Sequence, residues 1–184
     1  MVTDGFNFET SYQFNLQEWN VVSVPGDFTF RLLGTYVSKF ITDPGIQGGF
    51  ITNSAGEDSG DIPHLKVLAT QEYSNEKWSL TVTERWISEG KLNNSYVVCN
   101  PGSCPASSLA HPTINMNGVP GIFYMDLGAS YNLNDHWKLY VQVDNAFNKS
   151  PPPIYVNDFT SYGVNSSLYD LIGRMFHVGV RIDD

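Results

Sequence analysis

Residues 5–16 read Gly-Phe-Asn-Phe-Glu-Thr-Ser-Tyr-Gln-Phe-Asn-Leu, and apart from Thr10 every even position is apolar or aromatic. The odd positions of this stretch are glycine or polar. Successive side chains of a β-strand point to opposite faces, so the alternation predicts a strand with one apolar and one polar face. The stretch is longer than the about 5–6 residues of a typical globular strand. It matches the about 9–11 tilted residues with which a strand crosses a bilayer.

Six more segments repeat the two-residue period, at residues 28–40, 65–73, 78–86, 123–133, 137–147 and 176–182. No segment has the pattern of an amphipathic helix. None approaches the roughly 20 consecutive apolar residues of a membrane-spanning helix. The sequence therefore predicts an all-β chain, an antiparallel up-and-down meander of about seven long strands that is part of a transmembrane β-barrel.

The connections between these segments alternate in length. Short connections at 17–26, 74–77 and 134–135 alternate with long ones at 41–63, 88–120 and 148–173. Short turns at one rim and long loops at the other are typical of outer-membrane barrels, in which the long loops face outward.

Aromatic residues near the strand ends support the same fold. Trp and Tyr are amphipathic and favour the two membrane–water interfaces. We expect five of them to lie at the interfaces, namely Tyr73, Trp78, Trp86, Tyr131 and Trp137. Glu84 is an exception, because it shares the face of Trp78 and Trp86. We expect it near the outer interface, where a carboxylate costs little.

The charge of the chain excludes some partners. Charged residues make up 16% of the chain and aromatics 14%, and 19 acidic residues against 10 basic ones give a formal charge of −9. An acidic chain without a basic cluster is a poor binder of nucleic acid.

Three C-terminal segments resemble the end of TonB-dependent receptors. They are Asp-Leu-Gly-Ala-Ser-Tyr at 126–131, Val-Asp-Asn-Ala-Phe-Asn-Lys-Ser-Pro-Pro at 143–152, and the segment 169–181 with Tyr169-Asp170 and Gly173-Arg174. The opening Asp-Gly-Phe-Asn-Phe-Glu at 4–9 and the Ile62-Pro63 pair are also similar to that family.

The resemblance implies a barrel of about 22 strands in the bacterial outer membrane, with a plug inside. Such receptors are powered through TonB and import iron–siderophore complexes, cobalamin or oligosaccharides. Residues 1–184 would then be one C-terminal β-barrel segment that supplies the last seven strands. Its partners would be membrane lipid, the plug, the other barrel strands and the cargo, with TonB engaged only through the plug.

The chain departs from the family in three respects. It has neither a plug segment nor a signal peptide, and it ends Ile182-Asp183-Asp184 rather than on an aromatic residue. Seven strands leave two unpaired edges, which hydrocarbon does not tolerate. An eighth strand could come from 95–99 or 46–52, but neither alternates cleanly. We therefore expect a receptor fragment. The alternative is an autonomous small β-barrel that binds a ligand on its polar inner face.

The polar face supplies most of the candidate site residues. Seven side chains are expected to face the lumen and contact the plug, with direct contact to the cargo as the alternative: Glu9, Arg31, Arg85, Asp126, Tyr140, His177 and Arg181. Cargo is expected to meet aromatic and amide groups of the long loops, because these stack on and hydrogen-bond to sugars and would equally serve a siderophore. These loop residues are Tyr96, Asn117, Tyr155, Phe159 and Tyr162.

Cys99 and Cys104 flank Asn-Pro-Gly-Ser, and Pro-Gly favours a type II turn that brings the two Cβ atoms close. We predict a disulfide, since no histidine lies nearby to complete a metal site. Glu57, Asp58 and Asp61 resemble a calcium loop only loosely and are expected to be solvated charge. The four histidines are scattered, and no catalytic, phosphate or dinucleotide motif occurs. We expect no enzyme activity, no metal and no cofactor.

Overall fold

The fold is a single antiparallel meander of seven long strands. The structure is a computed structural model and describes residues 1–18, 24–154 and 163–182. The strands are β1 Val2–Asn15, β2 Asp27–Thr42, β3 Leu65–Ser74, β4 Trp78–Ile87, β5 Ile122–Asn132, β6 Trp137–Asp144 and β7 Met175–Ile182.

Each long strand pairs with its neighbour in sequence, and every such pair is antiparallel. The predicted all-β meander is therefore confirmed. The strand ends differ from the predicted ones by up to three residues, and β6 stops at Asp144, three residues before the predicted Phe147. The next residue, Asn145, has a φ of 48°, which a strand does not accommodate.

The sheet is open. Within the described residues β1 pairs with β2 alone and β7 pairs with β6 alone, so the barrel is not closed. Neither predicted source of an eighth strand supplies one. Val97–Val98 forms a short parallel pair with Thr113–Ile114, and Thr52–Asn53 adds only a two-residue antiparallel pair with Ile41 and Thr42 at the end of β2.

The two faces of the sheet differ in composition and in exposure. The apolar side chains of the alternating pattern occupy one face and remain open to the surroundings, with Leu127 39% and Val141 40% exposed in the middle of their strands. A soluble globular sheet buries such a face against a second layer. Within residues 1–18, 24–154 and 163–182 no such layer covers this face, as expected for a barrel wall whose outer face meets lipid.

The packed core of the chain lies at one end of the sheet, among the long connections. We call these loop A (residues 43–64), loop B (88–121) and loop C (145–174). Six buried side chains from β4, β5, loop B and loop C form the core: Ile87, Leu92, Val119, Tyr124, Ile154 and Tyr169.

Helical structure is limited to one 3-10 turn, Asp58–Gly60 in loop A. Among the described residues, no helix has the length and apolar character needed to cross a bilayer.

Candidate functional site

Loops A and B are joined by backbone and side-chain hydrogen bonds. The Lys91 amide donates to the Gly56 carbonyl at 2.8 Å, and the Asn94 amide donates to Glu57 Oε1 at 2.7 Å. The Asn94 side chain also donates to the Ala55 carbonyl at 2.8 Å. The two loops therefore move as one unit unless these bonds break.

Asn117 holds the two ends of loop B together. Its Nδ2 donates to the Asn93 carbonyl at 2.8 Å, and its Oδ1 accepts from the Asn93 amide at 3.1 Å. The residue is 5% exposed. The structure thus gives Asn117 a supporting role in the loop, and its predicted contact with cargo stays a prediction.

Asp58 joins loop A to loop C. Tyr169 Oη donates to Asp58 Oδ2 at 3.1 Å, and Asn165 Nδ2 donates to the Asp58 carbonyl at 2.6 Å. Asn165 Nδ2 also contacts Asp61 Oδ1. The bonded residues are more than one hundred positions apart in the sequence, so no local sequence pattern predicts these bonds.

The expectation that Glu57, Asp58 and Asp61 are solvated charge is wrong for two of the three. Asp58 is 0% and Glu57 9% exposed, while Asp61 is exposed. Loops B and C cover Asp58, and Glu57 is buried where it accepts the Asn94 amide. Only Asp61 keeps the predicted exposure.

Burial shifts the pKa values of Asp58 and Tyr169. It raises the pKa of the Asp58 carboxyl from 3.8 to about 6, although the Tyr169 hydrogen bond and the His64 charge act in the opposite direction. Burial, followed by the neighbouring Asp58 charge, likewise raises the pKa of Tyr169 above its ordinary value. Tyr169 therefore stays a neutral hydroxyl donor at any physiological pH.

Loop C is also tied to the polar face of the sheet. The Asp170 amide donates to Tyr124 Oη at 3.2 Å. The Arg85 guanidinium lies 5.1 Å from the centre of the Tyr124 ring and 3.7 Å from Asp126 Oδ2. The outer ends of β4 and β5 thereby support the loops.

The family-like segment 143–152 has a structural explanation at Asn145, which is fully buried. Its Oδ1 accepts from the Lys149 amide at 2.8 Å and its Nδ2 donates to the Lys149 carbonyl at 2.9 Å. Asn148 Oδ1 accepts from the Arg174 amide at 3.1 Å, next to Gly173 with a φ of 80°. The two family-like segments therefore meet and set both ends of loop C.

A cleft of about 750 Å³ opens between loops A and B. Its lining combines aromatic, charged and amide groups and includes His64, Glu89, Lys91, Asn94, Tyr96 and Met116. Tyr96 is half-buried and packs against the loop core, with part of its surface facing the cleft. The predicted cargo contacts Tyr155, Phe159 and Tyr162 lie outside the described residues.

Cys99 and Cys104 lie in loop B with their Sγ atoms 2.04 Å apart and their Cα atoms 5.2 Å apart. The four-residue turn between them is exposed. In the described part of the chain, no three His, Cys, Asp or Glu side chains come together as a metal ion would require.

The other residues predicted to face the lumen share the polar face. Glu9 pairs with Arg31 at 2.7 Å, and His177 contacts Asp144 at 2.8 Å. Tyr140 lies over Gly179 of β7, and Arg181 lies opposite Lys138. That this face lines a lumen stays a prediction.

The predicted interface aromatics lie near strand ends. At the short-turn end, the Trp78 and Tyr131 rings are 4.5 Å apart, and Tyr73 Oη donates to the Pro25 carbonyl at 2.8 Å. Trp137 also begins its strand there, whereas Trp86 lies at the end next to loop B. Their depth relative to lipid headgroups stays a prediction.

Comparison with known proteins identifies one family. A family model described as TonB dependent receptor-like, beta-barrel matches residues 1–146. Comparisons with curated proteins and with solved structures gave no match. The family comprises outer-membrane receptors and transporters, not enzymes. The matched region includes β1 to β6 with loops A and B, and the chain therefore belongs to the TonB-dependent receptor-like β-barrel family.

Proposed function

We propose that residues 1–184 form a C-terminal barrel segment of an outer-membrane importer and supply seven wall strands and three outer loops. The remaining strands and the plug complete the barrel, and the plug receives force from TonB. The observation that carries the proposal is the combination of an open sheet, an exposed apolar face and long loops packed together at one rim.

The cargo is a siderophore, cobalamin or an oligosaccharide, and we propose that the cleft between loops A and B contacts it. The cleft offers an aromatic ring at Tyr96, a cation at Lys91 and hydrogen-bonding groups at His64 and Glu89. Such a mixture suits a large polar molecule that both stacks and forms hydrogen bonds. The neighbouring residues are held in place by the Asn94 and Asn117 bonds, so the cleft is largely formed before cargo arrives.

Solubility of the isolated chain is the first test. Residues 1–184 are expressed alone, and the lysate is fractionated without detergent. We expect inclusion bodies, because the exposed apolar face and the open edges of the sheet aggregate in water. Recovery as a soluble monomer without detergent would contradict the proposal and support the autonomous binding protein.

Cargo binding is the second test. Outer-membrane vesicles that hold the complete receptor, with residues 1–184 as its C-terminal segment, are titrated with a ferric siderophore, cobalamin and an oligosaccharide. We expect one class to bind and Tyr96→Ala to weaken that binding about tenfold, a loss of about 1.4 kcal/mol. Tyr12→Ala, on the apolar face of β1, is the control and should leave affinity unchanged. Equal losses in the two variants would argue against the cleft.

A further inference from the structure

Asp58 occupies the point where the three long loops meet. Its own loop A supplies the 3-10 turn, loop C supplies the Tyr169 hydroxyl, and Gly90 of loop B lies against the carboxyl group. A side chain on Gly90 would collide with that carboxyl group, so the contact requires glycine. The Ser59 hydroxyl next to Asp58 contacts the Leu92 carbonyl of loop B.

The carboxyl group is buried without full compensation. Asp58 is 0% exposed, and Oδ1 has no hydrogen-bond partner among the described residues. A buried ionised carboxylate with a single hydrogen bond is costly, whereas the neutral acid is tolerated. The burial that joins the loops therefore favours the protonated group.

The surrounding charges do not reverse this preference. Glu57 and Asp61 lie near Asp58 in the sequence of loop A, and Lys91 follows Gly90 on loop B. Tyr169 contacts the carboxyl group from loop C, next to Asp170. His64, at the start of β3, favours the ionised form, but its effect is smaller than that of burial.

We propose that Asp58 is a proton-operated latch: a proton on its carboxyl group holds loops A, B and C together, and loss of that proton loosens them. Gly56, Gly90 and Lys91, which lie near Asp58, also line the cleft between loops A and B. The effect of the latch on cargo therefore rests on the proposed function of that cleft. A fall in pH would stabilise the contacts between loops A and B around the cargo cleft, and a rise in pH would weaken them.

The direction of the pH effect follows from linkage. The pKa of Asp58 is about 6 in the closed loops and 3.8 when the group is solvated, so the closed form binds the proton more tightly. Closure is therefore strengthened as pH falls through about 6 and levels off below 3.8. Between pH 7.5 and pH 5.0 these values give about a tenfold change in the closing equilibrium.

Hydrogen exchange on the complete receptor, which contains residues 1–184, in outer-membrane vesicles tests the latch. Peptides from residues 88–98 contain the Lys91 and Asn94 amides that bond to loop A. After correction for the chemical exchange rate, we expect their protection to rise about tenfold from pH 7.5 to pH 5.0. Asp58→Asn, a neutral isostere, should abolish this dependence, whereas Asp61→Asn should retain it. A flat wild-type profile, or an Asp58→Asn profile that titrates like the wild type, would overturn the latch.

Tyr169→Phe provides a second variant that keeps the carboxyl group. The Tyr169 hydrogen bond favours the ionised form, so its removal should move the midpoint of the protection profile to higher pH. An unchanged midpoint counts against the latch. The hydrogen-exchange experiment contains no cargo, so it tests the latch separately from the proposed function. If protection depends on pH as expected but none of the three cargo classes binds, the proposed function is refuted and the latch is retained.

Discussion

The side-chain amide of Gln71 donates a hydrogen bond to Glu84 Oε2 at 3.2 Å, and both residues lie on the apolar face of the sheet. Glu84 lies on β4 nearer to loop B than to the short turn, and its depth near the outer interface stays a prediction. Its carboxylate is thus satisfied from the neighbouring strand β3. Gln71 and Glu84 therefore form a hydrogen-bonded polar pair on the apolar face.

Removal of one member of this pair should cost more than removal of both. Gln71→Leu leaves the Glu84 carboxylate without its donor, and we expect a loss of about 1–3 kcal/mol in the free energy of unfolding. The double variant Gln71→Leu, Glu84→Leu should recover most of that loss, because two leucines suit a lipid-facing surface. Urea unfolding in lipid vesicles measures both. A double variant no more stable than Gln71→Leu would contradict the lipid-facing assignment.

Two adjacent residues of β6 test which face meets lipid. Val141→Arg places a cation on the apolar face and should cost about 2–4 kcal/mol near mid-bilayer. Gln142→Arg changes the opposite face, next to Asp144, and should cost less than about 1 kcal/mol. The same vesicle unfolding assay compares the two variants, and Leu127→Arg on β5 should behave like Val141→Arg. Similar costs at 141 and 142 would refute the assignment of faces.

Substitutions of Asn145 should lower the free energy of unfolding for two reasons: they remove its side-chain hydrogen bonds, and most residues disfavour its left-handed backbone conformation. Asn145→Gly keeps the φ of 48° accessible but leaves the Lys149 amide and carbonyl without partners, a loss of about 1–3 kcal/mol. Asn145→Ala should cost about 1–2 kcal/mol more, because alanine disfavours the left-handed region. Unfolding of the two variants side by side gives the difference. Equal stabilities would show that the backbone conformation is unimportant.

Removal of the Cys99–Cys104 disulfide should destabilise loop B and leave the stability of the sheet unchanged. Alkylation followed by mass spectrometry should find no reactive thiol at Cys99 or Cys104 until a reductant is added. Closure of so small a ring contributes about 2 kcal/mol, so the double Cys→Ser variant should speed local hydrogen exchange in residues 97–114 by up to about 30-fold. Exchange in β5 and β6 is the internal control. Free thiols in the untreated protein would contradict the disulfide.

The strands were predictable because their signal is local. Two-residue alternation gave all seven long strands within a few residues of their ends, and the bounds of β3 and β4 differ by a single residue. The exception is β6, where apolar parity continues to Phe147 although the strand ends at Asp144. Periodicity reports the face of a side chain and does not detect a left-handed residue such as Asn145.

The packing of the loops was not predictable, because its contacts are distant in sequence. Asp58 and Tyr169 are separated by 111 residues, and nothing near either one indicates the other. Tyr169 does belong to a family-like segment, but that resemblance gives it no partner. Gly90 permits the close approach of loop B to Asp58, but a glycine in a sequence does not by itself indicate which residue it approaches.

The unpaired edges of β1 and β7 impose an order on biogenesis. Each edge presents a row of backbone amides and carbonyls that hydrocarbon cannot solvate, and in water the same row invites aggregation with other chains. Both edges must therefore be paired with neighbouring strands, or otherwise shielded, by the time the sheet meets hydrocarbon.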